Sequence, residues 1–147
     1  MRLTPFALAA LALLPGCQKQ EPEGLAVRDA WVRLAAVPGR PAAAYFTITG
    51  GPAKDTLTAV DADKVATIEL HESGMAGGMM SMKPMAGIDV PANGEAAFKP
   101  GGNHAMLFGI DPSIRPGRAL PLTFRFQSGK SLSANATVYA AGDIAPE

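Results

Sequence analysis

From Leu25 onward, apolar and polar positions alternate in short runs separated by turn chemistry. In residues 120–126, Leu120, Leu122, Phe124 and Phe126 fall on one face of an extended chain, and Pro121, Thr123 and Arg125 on the other. In 65–72 the same rule turns Ala66, Ile68 and Leu70 toward a core and leaves Thr67, Glu69 and His71 on a polar face. The pattern predicts strands at 25–34, 43–49, 57–60, 65–72, 79–85, 95–99, 103–110, 120–126 and 132–140. Between them stand Pro38-Gly39, Gly50-Gly51-Pro52, Pro91-Ala92-Asn93-Gly94, Pro100-Gly101-Gly102 and Arg115-Pro116-Gly117, all turn formers. No stretch carries a helical period with caps. Short strands at this spacing predict an all-β, antiparallel sandwich or barrel.

The N-terminus departs from that pattern. Arg2, then an apolar run over 6–14, then Leu14-Pro15-Gly16-Cys17, has the form of a signal peptide and is too short to span a bilayer comfortably. Its ending resembles a bacterial lipobox, in which Cys17 is lipidated and becomes the first residue of the mature protein. Pro15 is uncommon at its position in such a motif. A plain secretory signal, with Cys17 incidental and the product soluble, is the alternative. Either form sends the domain out of the cytoplasm: to the periplasmic side of the envelope on a lipid anchor, or as a secreted soluble protein if the lipobox is not used. Gln18, where an aspartate would resemble an inner-membrane retention signal, favours the outer membrane. The expected division is a signal peptide at 1–16, the lipidated cysteine and a polar tether at 17–24, one β domain at 25–142 and a short tail at 143–147.

Composition removes several classes of function. The 147 residues suffice for one domain with a real core. Thirteen basic and thirteen acidic residues cancel, so no nucleic-acid surface is expected, and membrane contact would come through the lipid alone. Cys17 is the single cysteine, which excludes a disulfide framework, a thiolate metal site within the domain, and the cysteine ligand that a blue-copper centre needs. No Ser/His/Asp arrangement or paired-carboxylate motif points to an enzyme.

The remaining chemistry is concentrated between residues 71 and 106. Both histidines, His71 and His104, fall there, with Met75, Met79, Met80, Met82, Met85 and Met106; only the initiator Met1 lies elsewhere. The Gly- and Met-rich run from Gly74 to Gly87 reads as a flexible loop from which the segment carrying Met82, within the expected strand at 79–85, returns. His104 and Met106, at i and i+2, project from one face of a strand, and His71 is expected at a strand end on the wet side. Imidazole and thioether are neutral ligands suited to Cu(I) rather than to Mg²⁺ or Ca²⁺. Two other readings stay open on these residues: a Zn²⁺ site using His71, His104 and Glu69 or Glu72, and no metal, with the methionines an adaptable protein-binding surface.

His71-x10-Met82-x21-His104-x-Met106 resembles the signature of the periplasmic PCuAC copper chaperones. Ala30-Trp31-Val32-Arg33, Glu69-Leu70-His71-Glu72, Gly87-Ile88-Asp89-Val90-Pro91-Ala92 and Lys99-Pro100-Gly101-Gly102-Asn103-His104-Ala105-Met106-Leu107 are similar to its sequence blocks. The resemblance implies a cupredoxin-like antiparallel Greek-key β-sandwich that binds Cu(I) through His71, Met82, His104 and Met106. It also implies delivery to a copper-receiving protein, either the CuA domain of cytochrome oxidase or another assembly factor; copper storage, scavenging or tolerance is the alternative role. The family often carries methionine where Ser73 stands, and Met75 is a candidate auxiliary ligand. The C-terminal residues lack the His/Met-rich tail that holds a second copper in some members.

Overall fold

The computed structural model describes residues 24–146, so the signal-peptide stretch, Cys17 and the tether before Gly24 lie outside the described residues, as does Glu147. Ten strands follow in order: β1 (Ala26–Arg33), β2 (Ala42–Thr49), β3 (Asp55–Asp61), β4 (Val65–Ala76), β5 (Met79–Met85), β6 (Ile88–Val90), β7 (Glu95–Phe98), β8 (Asn103–Ile110), β9 (Ala119–Phe126) and β10 (Ser131–Tyr139). Among the described residues there is no helix. The strands hydrogen-bond in the order β5-β4-β8-β2-β1-β10-β9-β3-β6, with β7 added beside β2. All neighbours are antiparallel except β1 and β10.

This sheet folds over on itself into the two layers of a sandwich. Phe46 on β2 stacks on Phe98 of β7 at 4.2 Å between ring centroids. It also meets the edge of Phe124 on β9 at 4.8 Å, although β1 and β10 separate β2 from β9 in the sheet. Alternation supplies the core. Ala42, Ala44, Phe46 and Ile48 of β2 are buried, as are Leu120, Leu122, Phe124 and Phe126 of β9. Each fully buried large apolar side chain contributes about 1.5–3 kcal/mol, which is why the strict period-2 strands are also the best-fixed ones.

Two places need glycine. A Cβ on Gly50 would lie 1.9 Å from the carbonyl oxygen of Pro91, where the corner after β2 is tied down by the Gly50 amide donating to the Gly94 carbonyl at 2.7 Å. Gly77 and Gly78, with φ of 59° and 78°, make the two-residue turn between β4 and β5; two positive φ values match the twist of a tight hairpin.

That hairpin corrects part of the sequence reading. β5 falls where a strand was expected, at 79–85, but the residues before it are not a flexible loop: β4 continues to Ala76 and pairs in register with β5 from Leu70↔Met85 to Ala76↔Met79. Glycine and methionine hide the alternation there, whereas the backbone pairing does not depend on it. His71 is consequently mid-strand and largely covered, with 13% of its side chain exposed, rather than at a wet strand end. On the supposed core face of β4 only Leu70 is buried; Ile68 is half-buried and Ala66 exposed. The short β6 carries too few residues to show a period.

Candidate metal centre

Strand β4 lies between β5 and β8, and directly paired residues project to the same side. His71 pairs with His104, Glu69 with Met106, and Ser73 with Met82. Met106 also pairs with Ala43 on β2. His71, Met82, His104 and Met106 therefore share the outer face of one layer, opposite the face on which Leu70, Ala105 and Leu107 enter the core. The two imidazoles lie 5.8 Å apart, tilted by 30°. His104 is 6% exposed and Met106 half-buried, while Met82, on the edge strand, is exposed. Ser73, Met82, His104 and Met106 line an open depression of about 220 Å³ with Ala43 and Tyr45. His71 lies beside it, across the ladder from His104.

Hydrogen bonding sets which ring nitrogens are free. Nδ1 of His104 is 3.0 Å from the Gly102 carbonyl, which can only accept, so Nδ1 carries the proton and Nε2 keeps a lone pair. The Ser73 hydroxyl stands 3.5 Å from the same Nδ1. In His71 the order is reversed. Nε2 is 3.0 Å from Oε2 of Glu69, a carboxylate that accepts, which leaves the lone pair on Nδ1. That Nδ1 is buried and has no hydrogen-bond partner. A buried acceptor left unmet costs about 1–3 kcal/mol, and a bound cation would satisfy it.

The donor set fits a soft ion. Two imidazoles whose other nitrogens are already held, plus two thioethers, suit Cu(I), and the outer hydrogen bonds are of the kind that orient metal-binding histidines. The zinc alternative fits poorly. Among the described residues no three His, Cys, Asp or Glu side chains form a metal-holding group. Glu72 pairs with Asn103 and Lys83 on the other face, and Glu69 is occupied by His71.

An aromatic wall flanks the site. Tyr45 packs on Trp31 at 4.4 Å between ring centroids, Trp31 meets the edge of Tyr139, and the Arg33 guanidinium lies over Trp31 at 5.3 Å. Burial pushes the Tyr45 hydroxyl pKa up, with the Arg33 charge opposing, so a neutral phenol borders the depression. Sequence reasoning singled out neither this wall nor the role of Glu69. The Glu69-x-His71 spacing, which puts both side chains on one strand face, was the available signal. Met75 shares the outer face but pairs with Met80 farther along the hairpin, outside the lining of the depression. Cys17 lies outside the described residues.

Comparison with known proteins agrees with the fold and supplies the family. The family model described as "Putative lipoprotein LpqE-like" matches residues 25–138. The "Putative lipoprotein Lxx21020" of Leifsonia xyli subsp. xyli is 30% identical over 125 residues, covering 84% of this chain and 73% of that protein. In solved structures the same sandwich recurs. The Cu(I) form of DR1885 from Deinococcus radiodurans has a TM-score of 0.60 at 30% identity, over 85% of this chain and 86% of that one. The copper-bound PCuAC domain of PmoF2 has a TM-score of 0.64 at 20% identity, over 78% and 91%. The fold is thus that of the PCuAC domains. The chain belongs to the LpqE-like family.

Proposed function

We propose that this protein binds one Cu(I) ion outside the cytoplasm, through Nδ1 of His71, Nε2 of His104 and the sulfurs of Met82 and Met106, and hands it on. The observation that carries the reading is the placement of those four side chains on neighbouring rungs of one sheet face, with a free lone pair on a buried, unpartnered Nδ1 of His71. A Cu(I)-bound relative at 30% identity supports copper as the ion. Thioethers resist the oxidation that turns thiols into disulfides outside the cytoplasm. Neutral ligands leave the charge of Cu⁺ uncompensated, so an acceptor with thiolates binds it more strongly. The receiver is a thiolate-bearing copper protein, with the CuA domain of cytochrome oxidase as the expected one. A lipid at Cys17 would hold the domain at the periplasmic side of the envelope, in keeping with the family description as a lipoprotein.

The chain is read as a carrier rather than an enzyme. Exposure of Met82, on an edge strand with a single neighbour, favours transfer over storage, because an incoming ligand can displace that sulfur first. Anaerobic Cu(I) titration with X-ray absorption tests the site. One tightly held ion with mixed nitrogen and sulfur scatterers is expected, and the Cu(II) form should lack an intense thiolate-to-copper band. Two equally tight ions, or that band, would refute it. Mixing the loaded protein with reduced apo CuA domain, separating the two and measuring copper tests the role. Copper that stays behind would make storage the better account.

A further inference from the structure

The β4–β5 hairpin carries the outer face of the sheet beyond the four-residue centre. On that face its rungs run His71 with Pro84, Ser73 with Met82, and Met75 with Met80, before the Gly77-Gly78 turn. Met75 and Met80 are direct cross-strand partners, so their Cβ atoms stand about 4.5–5.5 Å apart and two flexible thioethers can close on one soft ion between them. They are 69% and 68% exposed, which excludes a role in filling the core. Met79 is as open, at 73%, yet it pairs with Ala76 and projects from the opposite face. Successive same-face rungs are about 7 Å apart, which puts Met82 one rung from Met75 and Met80 and one rung from His71.

We propose that Met75 and Met80 form a second, weaker Cu(I) site at the hairpin tip, from which the ion passes by way of Met82 to His71, His104 and Met106. The proposal rests on the Cu(I) reading of the main centre. Each step is a ligand exchange: one Cu–S or Cu–N bond forms as another breaks, and the ion stays Cu(I). No proton moves, because thioethers carry none and the accepting nitrogens of both imidazoles already hold free lone pairs. The tip is the part of the ladder farthest from the buried histidines and most open to a donor or acceptor protein.

The test is anaerobic Cu(I) titration of the full chain against a competing chromophoric chelator, followed in parallel by NMR of ¹³C-labelled methionine methyls. A first equivalent should move the Met82 and Met106 methyls. A second, held roughly 100-fold or more weakly, should move Met75 and Met80 and leave Met79 unmoved. Met75→Leu with Met80→Leu, a size-conserving pair at exposed positions, should abolish the second equivalent and leave the first intact. Absence of a second equivalent, its survival in the double variant, or an equal shift at Met79 would overturn the proposal while the main centre stands. Failure of the first equivalent refutes the four-ligand centre and the relay together.

Discussion

Glu69→Ala separates the geometry of the centre from its list of ligands. The carboxylate accepts from His71 Nε2 at 3.0 Å and so holds the lone pair on the buried Nδ1. Without it the imidazole can exchange tautomers and rotate, and the state presenting Nδ1 is no longer favoured. A hydrogen bond to a charged group is worth about 1.5–3 kcal/mol when shielded, and removing an outer partner of a metal ligand costs roughly 10–100-fold in affinity. Half of the Glu69 side chain is exposed, so the low end applies: about tenfold, or about 1.4 kcal/mol. Glu69→Gln keeps an accepting oxygen without the charge and should lose about threefold. The assay is anaerobic competition for Cu(I) against a chromophoric chelator, with circular dichroism to check that each variant folds. Unchanged affinity in Glu69→Ala would refute the tautomer argument. A loss well beyond 100-fold would make Glu69 itself a ligand.

His104→Ala and Met106→Ala should each weaken Cu(I) binding by at least about tenfold, while Met79→Ala, on the opposite face, leaves the tight ion unchanged in the same competition assay. Ser73→Met, which puts a third thioether beside Met82 and His104, should tighten Cu(I) binding and slow transfer to a thiolate acceptor; faster transfer would contradict the exposed-thioether account. Gly50→Ala drives a methyl into the Pro91 carbonyl and should cost about 3 kcal/mol or more in denaturant unfolding, against well under 1 for Gly142→Ala, whose Cβ meets open space.

Strands with a buried, strictly alternating face were legible because burial enforces the period. All four inward residues of β9 were readable in this way, and so were the same-face positions of His104 and Met106. The β4–β5 hairpin was legible only in part: β5 falls where a strand was expected, at 79–85, but the continuation of β4 past Glu72 was not seen, because its side chains there are mostly exposed and the glycine-glycine turn read as one more sign of a loop. The same hidden pairing changed the setting of His71, which stands mid-strand with its Nδ1 buried. The resemblance of the His71-x10-Met82-x21-His104-x-Met106 pattern to the PCuAC signature named the four candidate ligands, but which nitrogen of each histidine is free depends on Glu69 and on the Gly102 carbonyl. The first is a same-face i, i+2 relation, and the second is a backbone group that sequence does not display.

Unequal rigidity among the four side chains follows from where their strands lie. His71 and His104 stand on adjacent interior strands, and each ring is held by a hydrogen bond at its second nitrogen. Met106 is on the same strand as His104 and is flanked by β2 and β4. Only Met82 comes from an edge strand, with one neighbour and 58% exposure. Immobilising such a side chain costs rotamer entropy that the buried ligands have already lost on folding, so its bond to an ion is the weakest of the set per contact. Of the four, that sulfur is the first that an acceptor approaching over the hairpin would meet. On the proposed function, release would proceed from the edge inward, Met82 before Met106 and the histidines last, in an order set by strand position rather than by ligand chemistry. Met82 and Met106 are the same residue type, so measuring transfer rates for Met82→Leu and Met106→Leu isolates position. Met82→Leu should raise the rate of loss to a thiolate acceptor while retaining more of the equilibrium affinity than Met106→Leu; the reverse ranking would show that the sheet edge is not where the ion leaves.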